Sequence, residues 1–185
     1  MALKVGLYGG TFDPIHNGHI RVIEEVIAKK IVDRLLVVPA GEPRLRDNAP
    51  VATGAQRRAM CQLAINALPA EISAHVEVNP IEVLRQGPSY AIDTVEAIAQ
   101  TYEGATIVLI LGTDAYEKID QWHRADELKQ MVEFLVIDRP DFPGSHNVQL
   151  NTIAVSATDI RAKKSDLIPA AVAAYIKEQN LYASK

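Results

Sequence analysis

From residue 9 to residue 19 the chain reads Gly9-Gly10-Thr11-Phe12-Asp13-Pro14-Ile15-His16-Asn17-Gly18-His19, and this is where its side chains are best placed to do chemistry. Gly9 and Gly10 follow the apolar run from Leu3 to Tyr8, and with no Cβ the backbone there can turn sharply and approach a bound phosphate. The pair alone reads equally well as a plain tight turn, and its spacing matches neither the dinucleotide fingerprint nor the Walker loop. His16 and His19 add more. Three apart at the opening of a helix, they share one face beside unpaired backbone N–H groups and the positive end of the helix dipole, a setting suited to an oligophosphate. The alternative is a capped helix start, with Asn17 or Asp13 as the cap and the histidines as polar surface. Zinc is disfavoured and no metal ligand is assigned, because His75, His123 and His146 are scattered and supply no third ligand at a suitable spacing.

Other segments carry similar readings. Ser156, Thr158 and the N–H groups after them form a second helix start, with Arg161 one turn on to reach a phosphate; a simple capped helix is the alternative. Asp114 directly follows an apolar strand, where a carboxylate can hold a ribose hydroxyl or cap the next turn. Trp122, the only tryptophan, stands in the polar string Asp120-Gln121-Trp122-His123, where its ring can stack on a flat ligand or pack in the core. Arg44, Arg46 and Arg57 put positive charge after the second strand, and solvated side chains are the plain reading of Arg44 and Arg57.

The elements that position these residues alternate. Leu3–Tyr8, Arg34–Val38, His75–Val78, Thr106–Leu111 and Phe134–Ile137 read as strands. Between them lie helical spacings: Ile20, Ile23, Val26 and Ile27; Met60, Leu63, Ala64 and Ala67 after a Thr53 cap; and Ile92, Val95 and Ile98 after a Ser89 cap. Arg139–Asn147, with two prolines and a glycine, reads as a loop. Ser156 begins a short helix, and Pro169 opens a last one that packs through Val172, Tyr175 and Ile176. Nearly all-apolar strands joined by helices predict an α/β fold, a doubly wound parallel sheet whose ligands sit beyond the carboxyl ends of the strands.

The 185 residues, 48% of them hydrophobic, predict a single domain over 1–185 with a small helical part from about 156 to 185. Twenty-three acidic against nineteen basic side chains give a formal charge of −4, which argues against nucleic acid as a partner. Cys61 lies in an apolar helical pattern and reads as a buried structural thiol. The early first strand argues against a leader, and no apolar run approaches the roughly 20 residues needed to cross a bilayer. No membrane association and a reducing cytoplasm are therefore expected.

In this order, the motifs resemble a known family. Gly9–His19 is similar to the TxxH and HxGH loop of the nucleotidyltransferases, and over nearly the whole chain the resemblance is to the bacterial-type nicotinate mononucleotide adenylyltransferases. Gly87-Pro88-Ser89-Tyr90-Ala91-Ile92-Asp93-Thr94 resembles their PSYTxDT segment. Leu111-Gly112-Thr113-Asp114 with Trp122 resembles their GAD and downstream tryptophan, and Val155-Ser156-Ala157-Thr158-Asp159-Ile160-Arg161 resembles ISSTxIR. Tyr175-Ile176 and Leu181-Tyr182 agree as well.

The resemblance implies a Rossmann-like nucleotidyltransferase sheet and transfer of AMP from ATP, carried with Mg²⁺, to nicotinate mononucleotide in NAD biosynthesis. It assigns Gly9, Gly10, Thr11, Phe12, His16, Gly18 and His19 to the ATP loop, with Gly112, Asp114, Ser156, Thr158 and Arg161 completing the nucleotide site. It assigns Arg46, Ser89, Tyr90, Asp93, Thr94 and Trp122 to the acceptor, Arg46 standing where the family usually has a lysine. His16, His19 and Arg161 become the catalytic group, acting by charge stabilisation, since an ionised phosphate nucleophile needs no general base. The sequence departs from the family at Ala91 and Ala157, each in place of a hydroxyl residue, and in a short Arg161–Pro169 interval that shifts Lys163 and Lys164. Nicotinamide mononucleotide or phosphopantetheine as acceptor, or a binding module without turnover, therefore stay open, as does a homo-oligomer.

Overall fold

The computed structural model describes residues 2–41, 49–138 and 150–183. Five strands, β1 (Lys4–Gly10), β2 (Arg34–Pro39), β3 (Val76–Val78), β4 (Thr106–Gly112) and β5 (Glu133–Ile137), form one sheet in the order β3-β2-β1-β4-β5. Every neighbouring pair is parallel. The chain steps outward from β1 to β3, then crosses back to place β4 on the other side of β1. The crevice between β1 and β4 is therefore the switch point where a doubly wound sheet receives its ligand.

The helices are α1 (Asn17–Ala28), α2 (Gly54–Asn66), α3 (Ala70–Ser73), α4 (Ile81–Leu84), α5 (Ala91–Thr101), α6 (Thr113–Tyr116), α7 (Ala125–Met131), α8 (Ala157–Arg161) and α9 (Ala170–Glu178), with a 3₁₀ turn at Ile119–Gln121. Strand residues alternate between the two faces of the sheet. Leu35, Val37, Val108 and Ile110 pack beneath α1, α2 and α9, against Ile23, Val26, Met60, Cys61 and Val172. Val5, Leu7, Leu36, Val38 and Leu109 pack on the opposite face against Ile92, Val95 and Ile98 of α5 and Leu128 of α7. Among the described residues no helix is long and apolar enough to cross a membrane.

Several local expectations shift. Gly9 and Gly10 do not turn the chain: both lie inside β1, and the left-handed residue is Phe12, at φ +50°. Thr53 caps α2 as expected, accepting from the Gln56 N–H while the Gln56 side chain accepts from the Thr53 N–H. The buried stripe of α2, however, is Arg57, Met60, Cys61, Ala64 and Ile65, with Leu63 half-buried and Ala67 exposed. Cys61 is buried, and burial pushes its thiol pKa well up. Tyr90, not Ser89, is the N-cap of α5, because the Ser89 hydroxyl is taken by Arg85 Nη1 at 2.6 Å. Helix α7 had no periodic signature: Leu128 is the only buried side chain in Ala-Asp-Glu-Leu-Lys-Gln-Met.

Candidate active site

At the switch point lies a cavity of about 610 Å³ whose walls come from β1 and the following loop, the start of α1, the end of β2, the Ser89–Val95 segment, the end of β4, the Gln121–His123 turn and the start of α8. A second cavity, of about 510 Å³, runs beside edge strand β3 between Gln62 and Pro80 and gathers none of the candidate site residues.

The paired histidines sit at the mouth of α1. His16 is the N-cap residue itself, with extended backbone, so neither Asn17 nor Asp13 has that place. The imidazoles stack at 3.7 Å between centroids and 26° between planes. The His16 backbone N–H donates to His19 Nδ1 at 3.2 Å. An accepting Nδ1 places the proton of a neutral ring on Nε2, which makes His19 a hydrogen-bond donor at its outer edge. Phe12 fixes the ring from the side, edge-on at 4.9 Å. Two glycines make this packing possible. A Cβ on Gly10 would stand 2.9 Å from the Phe12 ring, and one on Gly18 would stand 3.0 Å from Val155 Cγ1 and 3.1 Å from the His16 ring. A Cβ on Gly9, by contrast, would meet no atom of the described residues within 4 Å, although Gly9 lines the cavity.

Beneath the loop, two buried charged groups hold the backbone. Arg57 is only 2% exposed, contrary to the solvated side chain expected. Its guanidinium donates to the carbonyls of Thr11 at 2.7 Å, Ala40 at 2.7 Å and Gly41 at 3.2 Å, joining the β1 loop to the end of β2. Burial lowers its pKa, and the Asp13 charge works in the opposite direction. Asp13, 3% exposed, accepts from the N–H groups of Val51 at 2.8 Å and Ala52 at 3.0 Å and from the Tyr182 hydroxyl at 2.7 Å.

Residues 7–163 of the chain match the cytidylyltransferase-like family, 157 residues reaching from β1 through α8. The chain belongs to that family. It is similar to the probable nicotinate-nucleotide adenylyltransferase of Bacillus pumilus, with 35% identity over 98% of this chain and 99% of the relative. It is also similar to the nicotinate-nucleotide adenylyltransferase of Bacillus subtilis, 33% identical over 98% and 99%. Its fold matches that of Plasmodium falciparum nicotinic acid mononucleotide adenylyltransferase complexed with NaAD, with a TM-score of 0.82, 19% identity and 97% of each chain covered.

On this cytidylyltransferase-like sheet the segments that carried the resemblance converge. Gly9, Gly10, Thr11, Phe12, His16, Gly18, His19, Gly112, Asp114, Ser156 and Thr158 all line the cavity, as do Ser89, Tyr90, Thr94 and Trp122. Ser156 caps α8, its hydroxyl accepting from the Asp159 N–H at 3.1 Å and donating to the Asp159 carboxylate at 2.6 Å. Asp114 lies in the first turn of α6 rather than capping it, since the N-cap is Gly112. The Trp122 indole Nε1 is buried without a hydrogen-bond partner among the described residues.

Three assigned residues stand apart. Arg161 is not on the cavity wall; its guanidinium donates to the Asp13 carbonyl at 2.5 Å and to Thr158 Oγ1 at 3.2 Å. Asp93 lies in the first turn of α5, also off the wall. Arg46, with Arg44 and His146, lies outside the described residues.

The structure adds cavity residues that spacing did not mark. His123 stacks on Tyr90 at 4.2 Å. Glu82 of α4 accepts from the Thr94 hydroxyl at 2.9 Å, so that hydroxyl is already engaged, and Arg85 donates to the same Thr94 oxygen at 3.2 Å. Burial pushes the Glu82 carboxyl pKa up, opposed by its hydrogen bonds and by the Arg85 charge. Nothing in the local pattern Ile-Glu-Val-Leu separates this glutamate from a solvated one; in the fold it is half-buried and bonded to Thr94 of α5.

Proposed function

We propose that this chain transfers AMP from ATP to nicotinate mononucleotide, releasing pyrophosphate and forming deamido-NAD, as a cytoplasmic enzyme of NAD biosynthesis. The observation that carries the reading is the single cavity onto which the stacked His16–His19 pair, the start of α8 and the Ser89-Tyr90/Trp122 wall all open. The first two suit phosphates, and the last suits a flat ring bearing a polar substituent. Names carried by the relatives that match over the full chain support the same acceptor.

In this reaction an oxygen of the acceptor's ionised 5′-phosphate forms a bond to the α-phosphorus of ATP. The bond from that phosphorus to the bridging oxygen breaks, and its electron pair leaves with pyrophosphate. No proton need be removed from the nucleophile, so the chain contributes position and charge stabilisation. His19 Nε2–H donates to the phosphates as charge moves toward the leaving group, and His16, stacked beneath it, fixes the ring. Arg161, off the cavity wall, contributes by holding the back of the loop through the Asp13 carbonyl and by donating to the Thr158 hydroxyl.

Mg²⁺ arriving on ATP would offset the charge of the departing pyrophosphate. The carboxylates on the wall are Asp13, Glu82 and Asp114, and among the described residues no three His, Cys, Asp or Glu side chains form a protein cage. That donor set fits an ion kept mainly by phosphate oxygens and water.

The test is pyrophosphate release by purified protein with Mg-ATP and equal concentrations of nicotinate mononucleotide, nicotinamide mononucleotide or phosphopantetheine. Release dominated by nicotinate mononucleotide supports the full reading. Dominance of another acceptor keeps the chemistry and moves the substrate, and ATP binding with no release from any acceptor overturns catalysis.

A further inference from the structure

The Asp13 carboxylate is buried in the turn that leads to His16, and a buried charge persists only where hydrogen bonds replace its lost water. Two of its partners, the N–H groups of Val51 and Ala52, are backbone groups leading into α2. The third comes from the far end of the chain. The Tyr182 hydroxyl, 169 residues away in sequence, donates to Asp13 Oδ1 at 2.7 Å. Tyr182 holds φ +56°, a left-handed conformation that costs a tyrosine energy, and it packs its ring at the edge of the core beneath α2 and α9. Burial and the bond to Asp13 push the phenol pKa well above its ordinary value, so the hydroxyl keeps its proton and remains a donor. Arg161 completes the arrangement, with Nη1 on the Asp13 carbonyl and 3.8 Å from its carboxylate.

We propose that Tyr182 is a positioning residue of the transfer reaction: through Asp13, its hydroxyl fixes the loop that aims His16 and His19 at the phosphates. The inference rests on the adenylyl-transfer reading. Its physical basis is that donors to a transition state act only when held to a fraction of an ångström, and a charge-assisted bond to a buried carboxylate three residues from His16 supplies such a restraint. The C-terminal tail is then a working part of the nucleotide site although it touches no ligand.

The test compares Tyr182→Phe, which keeps the ring and deletes the donor, with Tyr175→Phe, which deletes a hydroxyl on α9 of the same C-terminal region. Turnover with the best acceptor is measured together with calorimetric affinity for a non-hydrolysable ATP analogue. The affinity keeps the proposal testable even if the wild type proves to have no turnover, an outcome that sinks only the catalytic reading. Tyr182→Phe is expected to lower kcat about tenfold and weaken the ATP analogue several-fold, with the acceptor KM within about twofold. Tyr175→Phe is expected to change none of these. Unchanged ATP affinity and kcat in Tyr182→Phe, a change in Tm alone, or an equal loss in Tyr175→Phe overturns the proposal.

Amide hydrogen exchange on the wild type gives a second readout that needs no variant. Exchange at Val51, Ala52 and Leu181–Ala183 should slow together when the ATP analogue binds. Slowing at Val51 and Ala52 with no change in the tail also overturns the coupling.

Discussion

At the residue scale, the site works through donors and through the absence of atoms. His19 has its Nδ1 engaged by the His16 backbone, so its Nε2–H is the group we propose meets developing phosphate charge. Losing one such donor costs about 3 kcal/mol of transition-state stabilisation, or roughly a hundredfold in rate. His19→Ala should therefore lower kcat by about that factor while the ATP KM moves far less; steady-state kinetics with near-normal kcat would remove His19 from the mechanism. Gly9 tests the opposite property. A Cβ there meets no atom of the described residues and stands at the cavity wall, so Gly9→Ala should fold with an unchanged Tm yet raise the ATP KM or Kd about tenfold or more. A full-affinity Gly9→Ala protein would show that ligand does not approach this part of β1.

At the element scale, the loops after β1 and β2 are held from below by α2. Its N-cap, Thr53, is exposed and off the cavity wall, so Thr53→Ala should cost about 1 kcal/mol in urea unfolding and leave kcat unchanged. Arg57, one turn into the same helix, joins both loops. Arg57→Ala strands the Thr11, Ala40 and Gly41 carbonyls without their shared donor, and should destabilise the fold by about 3 kcal/mol. Urea unfolding measures it, and a loss below 1 kcal/mol would mean water replaces the guanidinium. The burial of Arg57 was recoverable from spacing, since residues 57, 60, 61, 64 and 65 form one helical stripe. With Leu63 and Ala67 read as inward, Arg57 falls at the edge of the stripe, where a long cationic side chain reads as solvated. Its three carbonyl partners were beyond sequence, because they belong to loops that meet only in the folded sheet.

At the scale of the whole molecule, Glu82 ties stability to pH. Its folded pKa lies above the ordinary glutamate value of 4.5, mainly through desolvation, so the folded state binds the proton more tightly than the unfolded chain. The Glu82 contribution to stability must then fall as pH rises from about 4.5 through the folded pKa, and level off above it. Glu82→Gln removes this term. The stability of the variant relative to wild type should rise with pH over that window in parallel thermal melts, and a pH-independent difference would show that Glu82 ionises as freely in the fold as outside it.

Local pattern determined much of this protein. Apolar runs separated by helical spacings encoded the parallel sheet, because burial on both faces requires strands of that kind, and short motifs after β1, β4 and β5 identified the residues that now share one cavity. Tertiary structure alone decided the support beneath them: Tyr182 on Asp13, Arg57 across two loops, Arg161 turned toward the loop carbonyl, and Glu82 bonded to Thr94. Periodicity reports which face of an element is apolar. A buried charge is stable only through partners that the sheet order brings from distant parts of the chain, and no local spacing records those partners.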